Sequence, residues 1–277
     1  MSRVENQRPM VLSRALTHDQ LYHFDAVGYV QLREFLSPDL VAACRSALAA
    51  AEPDDVFPER ATDRWQDIHG RGGPLRDVVA ATGLLDHVAD VVNQPLRLIE
   101  SYAHRSGAGS FLYMHNGLVQ DIVYADGVRT TRHAAYGAEY HDGRLYTRYV
   151  KAIAYLTDIG PDDGPFCYVE GSHKASFAYP WPAFLDQDAG LVSETDRVRT
   201  VPASAGDVLL LNEALLHGVR WKQTGEPRVL LAYSFAPAFM RRWQPLERSA
   251  GDYETGGYQD LDCEVVFFPS GPPPRAS

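Results

Sequence analysis

The sequence predicts a mostly β fold with a helical buttress, built around a double-stranded β-helix core of the jelly-roll or cupin type. Short apolar segments separated by turn residues follow position 96, as is typical of such sheets. Helical periodicity and helix caps mark the residues before it. The chain has 277 residues, 45% of them hydrophobic, which suffices for one large domain. The predicted parts of this single domain, 1–277, are a buttress at 1–95, a jelly-roll core at 96–240 with a lid at 118–143, and a tail at 241–277.

The predicted buttress contains three helices, a short strand at 29–32 and one loop. A capping-box spacing begins the first helix at Thr17, and the proline after Ser37 favours the start of the second. The third helix is expected over 75–92, with an interruption at Gly83, because apolar residues recur there at helical spacing. The stretch 52–73 is rich in proline, glycine and charged residues, which predicts an irregular loop.

Six core strands are predicted from apolar runs that end at turn residues. The stretch 118–143 contains two Asp-Gly turns and no sustained periodicity, and a connection of this length in a compact domain is usually a functional lid or disordered. The strands are expected at 96–103, 110–115, 149–157, 166–170, 206–212 and 228–235.

Charge and cysteine content restrict the class of partner. The net charge of −10 and the pI of about 5.4 disfavour a nucleic acid polymer or an anionic membrane, which leaves a small molecule as the expected partner. The first residues lack the apolar segment of a signal peptide, and no apolar run approaches the roughly 20 residues that span a bilayer. Three widely spaced cysteines suit a reducing compartment, so a cytoplasmic location is expected. The oligomeric state is left open.

Two histidines and an arginine indicate a metal site with a carboxylate co-substrate. His217 ends an apolar strand, Arg228 opens the next strand, and His115 ends an earlier one. Imidazoles bind redox metals, and a guanidinium binds a carboxylate through a planar pair of donors. The usual third ligand is a carboxylate two residues after the first histidine, but that position is Gly117.

The chain resembles the phytanoyl-CoA dioxygenase family of non-haem iron, 2-oxoglutarate-dependent oxygenases. The matching motifs occur in the family's order over roughly 15–240. The resemblance implies Fe(II), 2-oxoglutarate and O2 as cofactors, with His115 and His217 as iron ligands. It also implies that Arg228 anchors the distal carboxylate of 2-oxoglutarate and that His104 lies near this co-substrate. The motifs are Phe-Asp-Ala-Val-Gly-Tyr-Val, Ala-Tyr-Leu-Thr-Asp-Ile-Gly-Pro-Asp-Asp-Gly-Pro-Phe, Val-Glu-Gly-Ser-His-Lys, Ala-Gly-Asp-Val and Leu-Leu-His-Gly.

The glycine at position 117 departs from the family's hydroxylases. Similar enzymes with glycine or alanine at this position are halogenases, in which a halide takes the place of the carboxylate. Gly117 therefore predicts chloride as a further cofactor and a chlorinase in specialised metabolism that acts on an unactivated C–H bond. A small metabolite is the expected substrate, with anionic and nucleotide-like molecules as candidates.

Several alternatives are open at this level. A hydroxylase would need a third ligand from elsewhere, and Asp121 is the nearest candidate in sequence. His133 is a rival to His115 as the first ligand. Arg129, Arg132 and His133 in the lid are also candidate substrate contacts. From another functional class, the chain could be a jelly-roll binding module without catalysis.

Overall fold

The fold is a double-stranded β-helix with helices packed against one of its sheets, as the sequence predicts. Its division into buttress, core and tail at the expected boundaries stays a prediction, and the tail after 240 lies outside the described residues. The structure is a computed structural model that describes residues 14–116, 120–123, 129–132, 137–141, 144–175, 185–186, 191–192, 197–238 and 240.

Four helices and a short 3-10 turn lie before residue 96 in the described part of the chain. Thr17 forms the predicted capping box with Gln20, and Ser37 caps the next helix through Leu40. Gly83 has a positive φ of 77° and separates the third and fourth helices, as expected. Among the helices that the structure describes, none is long and apolar enough to cross a membrane. The helices are α1 (His18–Val27), α2 (Pro38–Ala49), α3 (Gly73–Ala80) and α4 (Leu84–Val92).

A seven-stranded antiparallel sheet forms the major wall of the molecule. Its long central strands contain four of the six predicted core strands, and their bounds agree with the prediction to within a few residues. In spatial order the strands are β1 (Tyr29–Leu32), β15 (Val208–Asn212), β10 (Val150–Tyr155), β17 (Arg228–Pro237), β4 (Leu96–Ser106), β3 (Thr62–Gln66) and β2 (Asp55–Phe57).

A four-stranded antiparallel sheet forms the second wall. It contains the other two predicted core strands, β5 and β11. Three separate two-stranded ladders complete the described strands, and β6, β7 and β8 of these lie in the predicted lid. The second wall is, in order, β14 (Val198–Val201), β11 (Phe166–Val169), β16 (His217–Val219) and β5 (Leu112–His115). The ladders are β6 (Gln120–Val123) with β7 (Arg129–Arg132), β8 (Ala138–His141) with β9 (Arg144–Thr147), and β12 (Leu185–Asp186) with β13 (Leu191–Val192).

The major sheet is buried on both faces, which explains the unbroken apolar run in β15. Val208 and Leu210 pack into the cluster shared with the helices, whereas Leu209 and Leu211 pack into the cluster between the two walls. Successive side chains of a strand point to opposite faces, so a strand buried on both sides needs apolar residues at every position. The same alternation directs Lys151 of β10, two residues before Ile153, toward the interior between the walls.

The predicted loop at 52–73 is wrong in part. Residues 55–57 and 62–66 are strands β2 and β3, joined by a 3-10 turn at Pro58–Arg60, and they extend the major sheet beyond β4. Strand β2 forms the edge of the sheet and β3 lies next to it. Both strands are short, so they show little of the apolar alternation that identifies a strand in sequence.

One buried carboxylate, Asp207, joins the N-terminal strand to the β14–β15 turn. Its oxygens accept hydrogen bonds from the backbone of Glu34 at 2.9 Å and of Ser204 at 3.0 Å, and from the side chains of Gln31 at 2.9 Å and Arg33 at 3.3 Å. Asp207→Ala would leave several of these donors unpaired, so we expect the free energy of unfolding to fall by about 3 kcal/mol.

Urea denaturation measures this effect. Asp39→Ala is the matched control, because Asp39 is an exposed acid in the first turn of α2 and its loss should cost less than about 1 kcal/mol. Equal unfolding midpoints for the two variants would show that the Asp207 hydrogen bonds do not stabilise the fold.

Candidate functional site

His115 and His217 lie side by side on adjacent strands of the second wall. Strands β5 and β16 pair antiparallel with His217 directly opposite His115, and the ring centroids are 4.4 Å apart. One strand pairing therefore brings together two histidines that are 102 positions apart in the sequence. Both side chains face the interior between the walls, where His217 also stacks near Phe166 at 5.7 Å between ring centroids.

Glu213 is the third member of this group. It follows the last residue of β15, and its carboxylate lies with the two imidazoles in a cluster whose candidate ligand atoms are all within 4.8 Å of one another. Glu213 and His217 are buried. Two imidazoles and one carboxylate on a single face form the ligand set typical of mononuclear iron(II) oxygenases.

Both histidines are oriented by the backbone two residues before them. Nδ1 of His115 lies 2.9 Å from the Tyr113 carbonyl oxygen, and Nδ1 of His217 lies 2.6 Å from the Leu215 carbonyl oxygen. A carbonyl only accepts, so each Nδ1 carries the proton and donates it, which leaves the Nε2 lone pair free for a metal. Histidine ligands are commonly fixed in this way.

A buried lysine holds one oxygen of Glu213. Lys151 Nζ donates to Glu213 Oε1 at 2.9 Å, and both side chains are about nine-tenths buried. Within the described part of the chain, the other oxygen, Oε2, is buried without a hydrogen-bond partner. A buried carboxylate oxygen without a partner is costly, and a bound cation would remove that cost.

The charge states of the cluster suit a cation. Burial, followed by the charge of His115, lowers the pKa of His217 to about 3, and burial also lowers the pKa of His115. Burial alone would raise the pKa of Glu213, but Lys151 and the two histidines outweigh it and hold that pKa below its ordinary value. At neutral pH the site therefore presents two neutral imidazoles and one carboxylate, the forms that bind metals.

Arg228 lies in the same cavity, at the start of β17. It is 6% exposed, and its Nη1 donates to the Gly164 carbonyl oxygen. Its Nε is buried and has no hydrogen-bond partner among the described residues. Burial lowers the pKa of Arg228 to about 10, opposed by Tyr155 and Asp163, so the guanidinium stays charged at neutral pH. It can bind a carboxylate with the remaining donors.

His104 of β4 lies in this cavity too, but it is not part of the metal-type cluster. Its ring contacts Tyr102 at 4.8 Å between centroids. Burial, followed by Arg64, Arg228 and Lys151, lowers its pKa to about 3. It is therefore a neutral hydrogen-bonding group among three cations.

The cavity occupies about 490 Å³ between the two walls, a size suited to a small molecule. A larger cavity of about 620 Å³ lies against α2 and shares only Arg228 with it. We place the chemistry in the smaller cavity, because it contains the His115–Glu213–His217 cluster. Besides that cluster and Arg228, its charged and aromatic lining residues are Phe57, Arg60, Arg64, Glu100, Tyr102, His104, Phe111, Tyr149, Lys151 and Phe166.

For the other predicted site residues the structure gives at most a strand assignment. Gly117 and His133 lie outside the described residues. Asp121 is in β6, and Arg129 and Arg132 are in β7, which pairs with β6. The roles predicted for all five stay predictions.

Glu213 was not among the predicted site residues. Its position in Leu-Asn-Glu-Ala-Leu-Leu-His is the one available indication, because it places a carboxylate four residues before His217 at the end of a buried strand. Lys151 was not predicted as a site residue either. Both residues belong to the cavity.

Comparison with known proteins identifies a family and several similar solved structures. The sequence profile of the phytanoyl-CoA dioxygenase (PhyH) family matches residues 24–229. A search of the curated proteins finds no match. The chain is similar to the crystal structure of HygX from Streptomyces hygroscopicus with nickel, 2-oxoglutarate and hygromycin B bound. The identity is 39% and the TM-score 0.71, and the match covers 83% of this chain and 90% of that one.

Two further structures support the same fold. HygX with iron bound is 38% identical with a TM-score of 0.72, over 83% of this chain and 90% of that one. AviO1 from Streptomyces viridochromogenes Tue57 has a TM-score of 0.59 at 18% identity, over 84% of this chain and 98% of that one. The AviO1 match concerns the fold alone.

Proposed function

This chain belongs to the phytanoyl-CoA dioxygenase (PhyH) family of iron- and 2-oxoglutarate-dependent oxygenases, and we propose that His115, Glu213 and His217 hold its iron. We further propose that it oxygenates a small molecule. The Glu213 carboxylate is the observation that carries this proposal. One of its oxygens accepts a hydrogen bond from Lys151, and the other is buried beside the two imidazoles. Glu213 would thus provide the carboxylate ligand that Gly117 cannot provide.

The residues fit the cofactors on chemical grounds. Each imidazole donates a hydrogen bond from Nδ1 to a backbone carbonyl, which leaves its Nε2 for a metal. Two such nitrogen atoms and one carboxylate match the preference of iron(II) for a mixed nitrogen and oxygen ligand set. The free Nε of Arg228 fits the distal carboxylate of 2-oxoglutarate. Iron(II) with 2-oxoglutarate and O2 would supply the oxidising power that attacks an unactivated C–H bond, with succinate and CO2 released.

The protein's own contribution is orientation and exclusion of water. The Tyr113 and Leu215 carbonyls fix the two rings, and Lys151 fixes Glu213. Such positioning matters, because small displacements of reacting groups reduce rates strongly. The aromatic and charged cavity walls would bind the substrate in one orientation and keep solvent away from the reacting carbon.

The similarity to HygX supports a small polar natural product as the substrate. HygX is crystallised with hygromycin B, and its match covers 83% of this chain at 39% identity. The cavity lining here is mixed, with arginines and a glutamate beside phenylalanine and tyrosine rings. A lining of this kind suits a molecule with several polar groups.

Halogenation is the second candidate, and Gly117 is the observation that favours it. In this version a chloride ion would take the position that a carboxylate at 117 normally fills, and Glu213 would remain an ion-pair partner of Lys151. The two candidates differ in chloride dependence and in the mass of the product.

The test is reconstitution with Fe(II) without air, then addition of O2, 2-oxoglutarate and hygromycin B as the trial substrate, with and without chloride. We expect an absorption band at about 500 nm when 2-oxoglutarate is added, and release of succinate in the absence of chloride. Insertion of oxygen gives a product about 16 Da heavier than the substrate. A chloride-dependent product about 34 Da heavier would establish halogenation instead. Absence of both the band and succinate would favour a binding module.

A further inference from the structure

The guanidinium of Arg228 is held by one backbone oxygen of a neighbouring loop. Nη1 donates a hydrogen bond to the carbonyl oxygen of Gly164. This glycine lies in a loop, nine residues after the last residue of β10. Nη1 is engaged, whereas the buried Nε has no hydrogen-bond partner among the described residues. The Gly164 carbonyl therefore decides which edge of the guanidinium remains available to a carboxylate.

Gly164 cannot carry a side chain without displacing Arg228. Its φ is +69°, and a Cβ at this position would lie 2.6 Å from Arg228 Nη1 and 2.8 Å from the Arg220 carbonyl oxygen. The positive φ is itself unfavourable for other residues. The close approach of backbone to guanidinium is thus built into the loop 160–165.

The loop is tied down by the segment that precedes Arg228. Asp163 accepts hydrogen bonds from the Thr224 hydroxyl and from Lys222 Nζ, the latter at 3.4 Å, and its other oxygen accepts from the backbone of Gly160 at 2.9 Å. Asp163 and Lys222 also form an isolated β-bridge. The Gly164 carbonyl therefore follows directly after an anchored residue.

Lys222 makes this anchor strong. It is fully buried, and its ammonium group contacts both Asp163 and Thr224. A buried ammonium without partners is costly, so the three side chains hold one another in place. None of the three contacts the His115–Glu213–His217 cluster through a hydrogen bond described in the structure, so the anchor is distinct from the metal-type site.

We propose that Asp163, Lys222 and Thr224 form a positioning clamp, which fixes the Gly164 carbonyl and thereby the orientation of Arg228 toward the distal carboxylate of 2-oxoglutarate. This inference rests on the proposed function, in which Arg228 binds that carboxylate. None of the three clamp residues lines the cavity that contains the His115–Glu213–His217 cluster. They determine affinity for a dicarboxylate by holding the arginine in one conformation.

The test compares Thr224→Val with Thr224→Ser in the Fe(II)-loaded protein under anaerobic calorimetry. Two probes are used: 2-oxoglutarate, and 2-oxopentanoate, which has the same chain length without the distal carboxylate. We expect Thr224→Val to weaken 2-oxoglutarate binding by about tenfold and to leave 2-oxopentanoate binding unchanged. Thr224→Ser retains the hydroxyl and should bind both probes as the wild type does.

Asp163→Asn serves as a second clamp variant if Thr224→Val folds poorly, and thermal unfolding checks each protein. Gln223→Ala is the matched control, because that exposed side chain bonds Asp162 rather than the clamp. Wild-type affinity for 2-oxoglutarate in a folded Thr224→Val or Asp163→Asn protein would overturn the proposal of a clamp and leave the proposed function intact. Failure of the wild type to bind 2-oxoglutarate would overturn the proposed function.

Discussion

Replacing Glu213 with alanine is expected to weaken metal binding by at least about 100-fold and to abolish 2-oxoglutarate turnover. The substitution removes the one carboxylate in the cluster and leaves two neutral imidazoles beside the charged Lys151. Two imidazoles alone hold a divalent cation weakly, and an uncompensated ammonium in the same cavity repels it.

Calorimetric titration with Co(II) under anaerobic conditions measures this loss. Glu100→Gln is the matched control, because Glu100 is a carboxylate of the same cavity that pairs with Arg64 instead of the histidines. The double variant Glu213→Ala/Lys151→Met removes both charges and separates loss of a ligand from a buried unpaired lysine. Undiminished Co(II) affinity in Glu213→Ala and in the double variant would exclude Glu213 as a ligand.

Replacing Arg228 with methionine is expected to weaken 2-oxoglutarate binding by about 100-fold without altering metal affinity. The guanidinium is buried and charged, and within the described residues it makes no ion pair that would compete for a bound carboxylate. Methionine preserves much of the side-chain volume, so the main loss is that of the cationic donors. The same substitution should not affect binding of 2-oxopentanoate, which lacks the group that Arg228 binds.

Arg228→Lys is the informative comparison for this variant. A lysine keeps the charge but loses the planar pair of donors, so its affinity for 2-oxoglutarate should fall between the wild type and Arg228→Met. Binding of Co(II) before and after each substitution confirms that the metal site is intact. If Arg228→Met bound 2-oxoglutarate as tightly as the wild type, the anchor would have to be another cation of the cavity.

The core strands were predictable because burial imposes their composition. Strand β15 is apolar at every position since both faces of the major sheet are covered, and such a run between turns is recognisable in sequence. The helix caps at Thr17 and Ser37 were equally predictable, because each side chain accepts a hydrogen bond from a backbone N–H only three residues later. Local physics determined these elements.

Glu213 shows where sequence patterns fail. The proposed ligand set combines two histidines that are far apart in the sequence with a residue from the connection after β15. Their distances depend on a strand register that no local pattern reveals. The usual position for the carboxylate, two residues after the first histidine, is Gly117 in this chain. The nearest carboxylate that follows it in sequence is Asp121, so the pattern did not indicate Glu213. Glu213 instead reaches the two imidazoles from the end of β15, on the opposite wall.

The β2–β3 hairpin also has a consequence for how this protein could change its specificity. Phe57, Arg60, Thr62 and Arg64 of this hairpin and its turn line the cavity. The Arg64 side chain bonds Glu100, and the Thr62 hydroxyl bonds Ser106 and the Arg60 carbonyl. We therefore expect an exchange of this hairpin to alter substrate preference and to leave the proposed iron ligands His115, Glu213 and His217 unchanged.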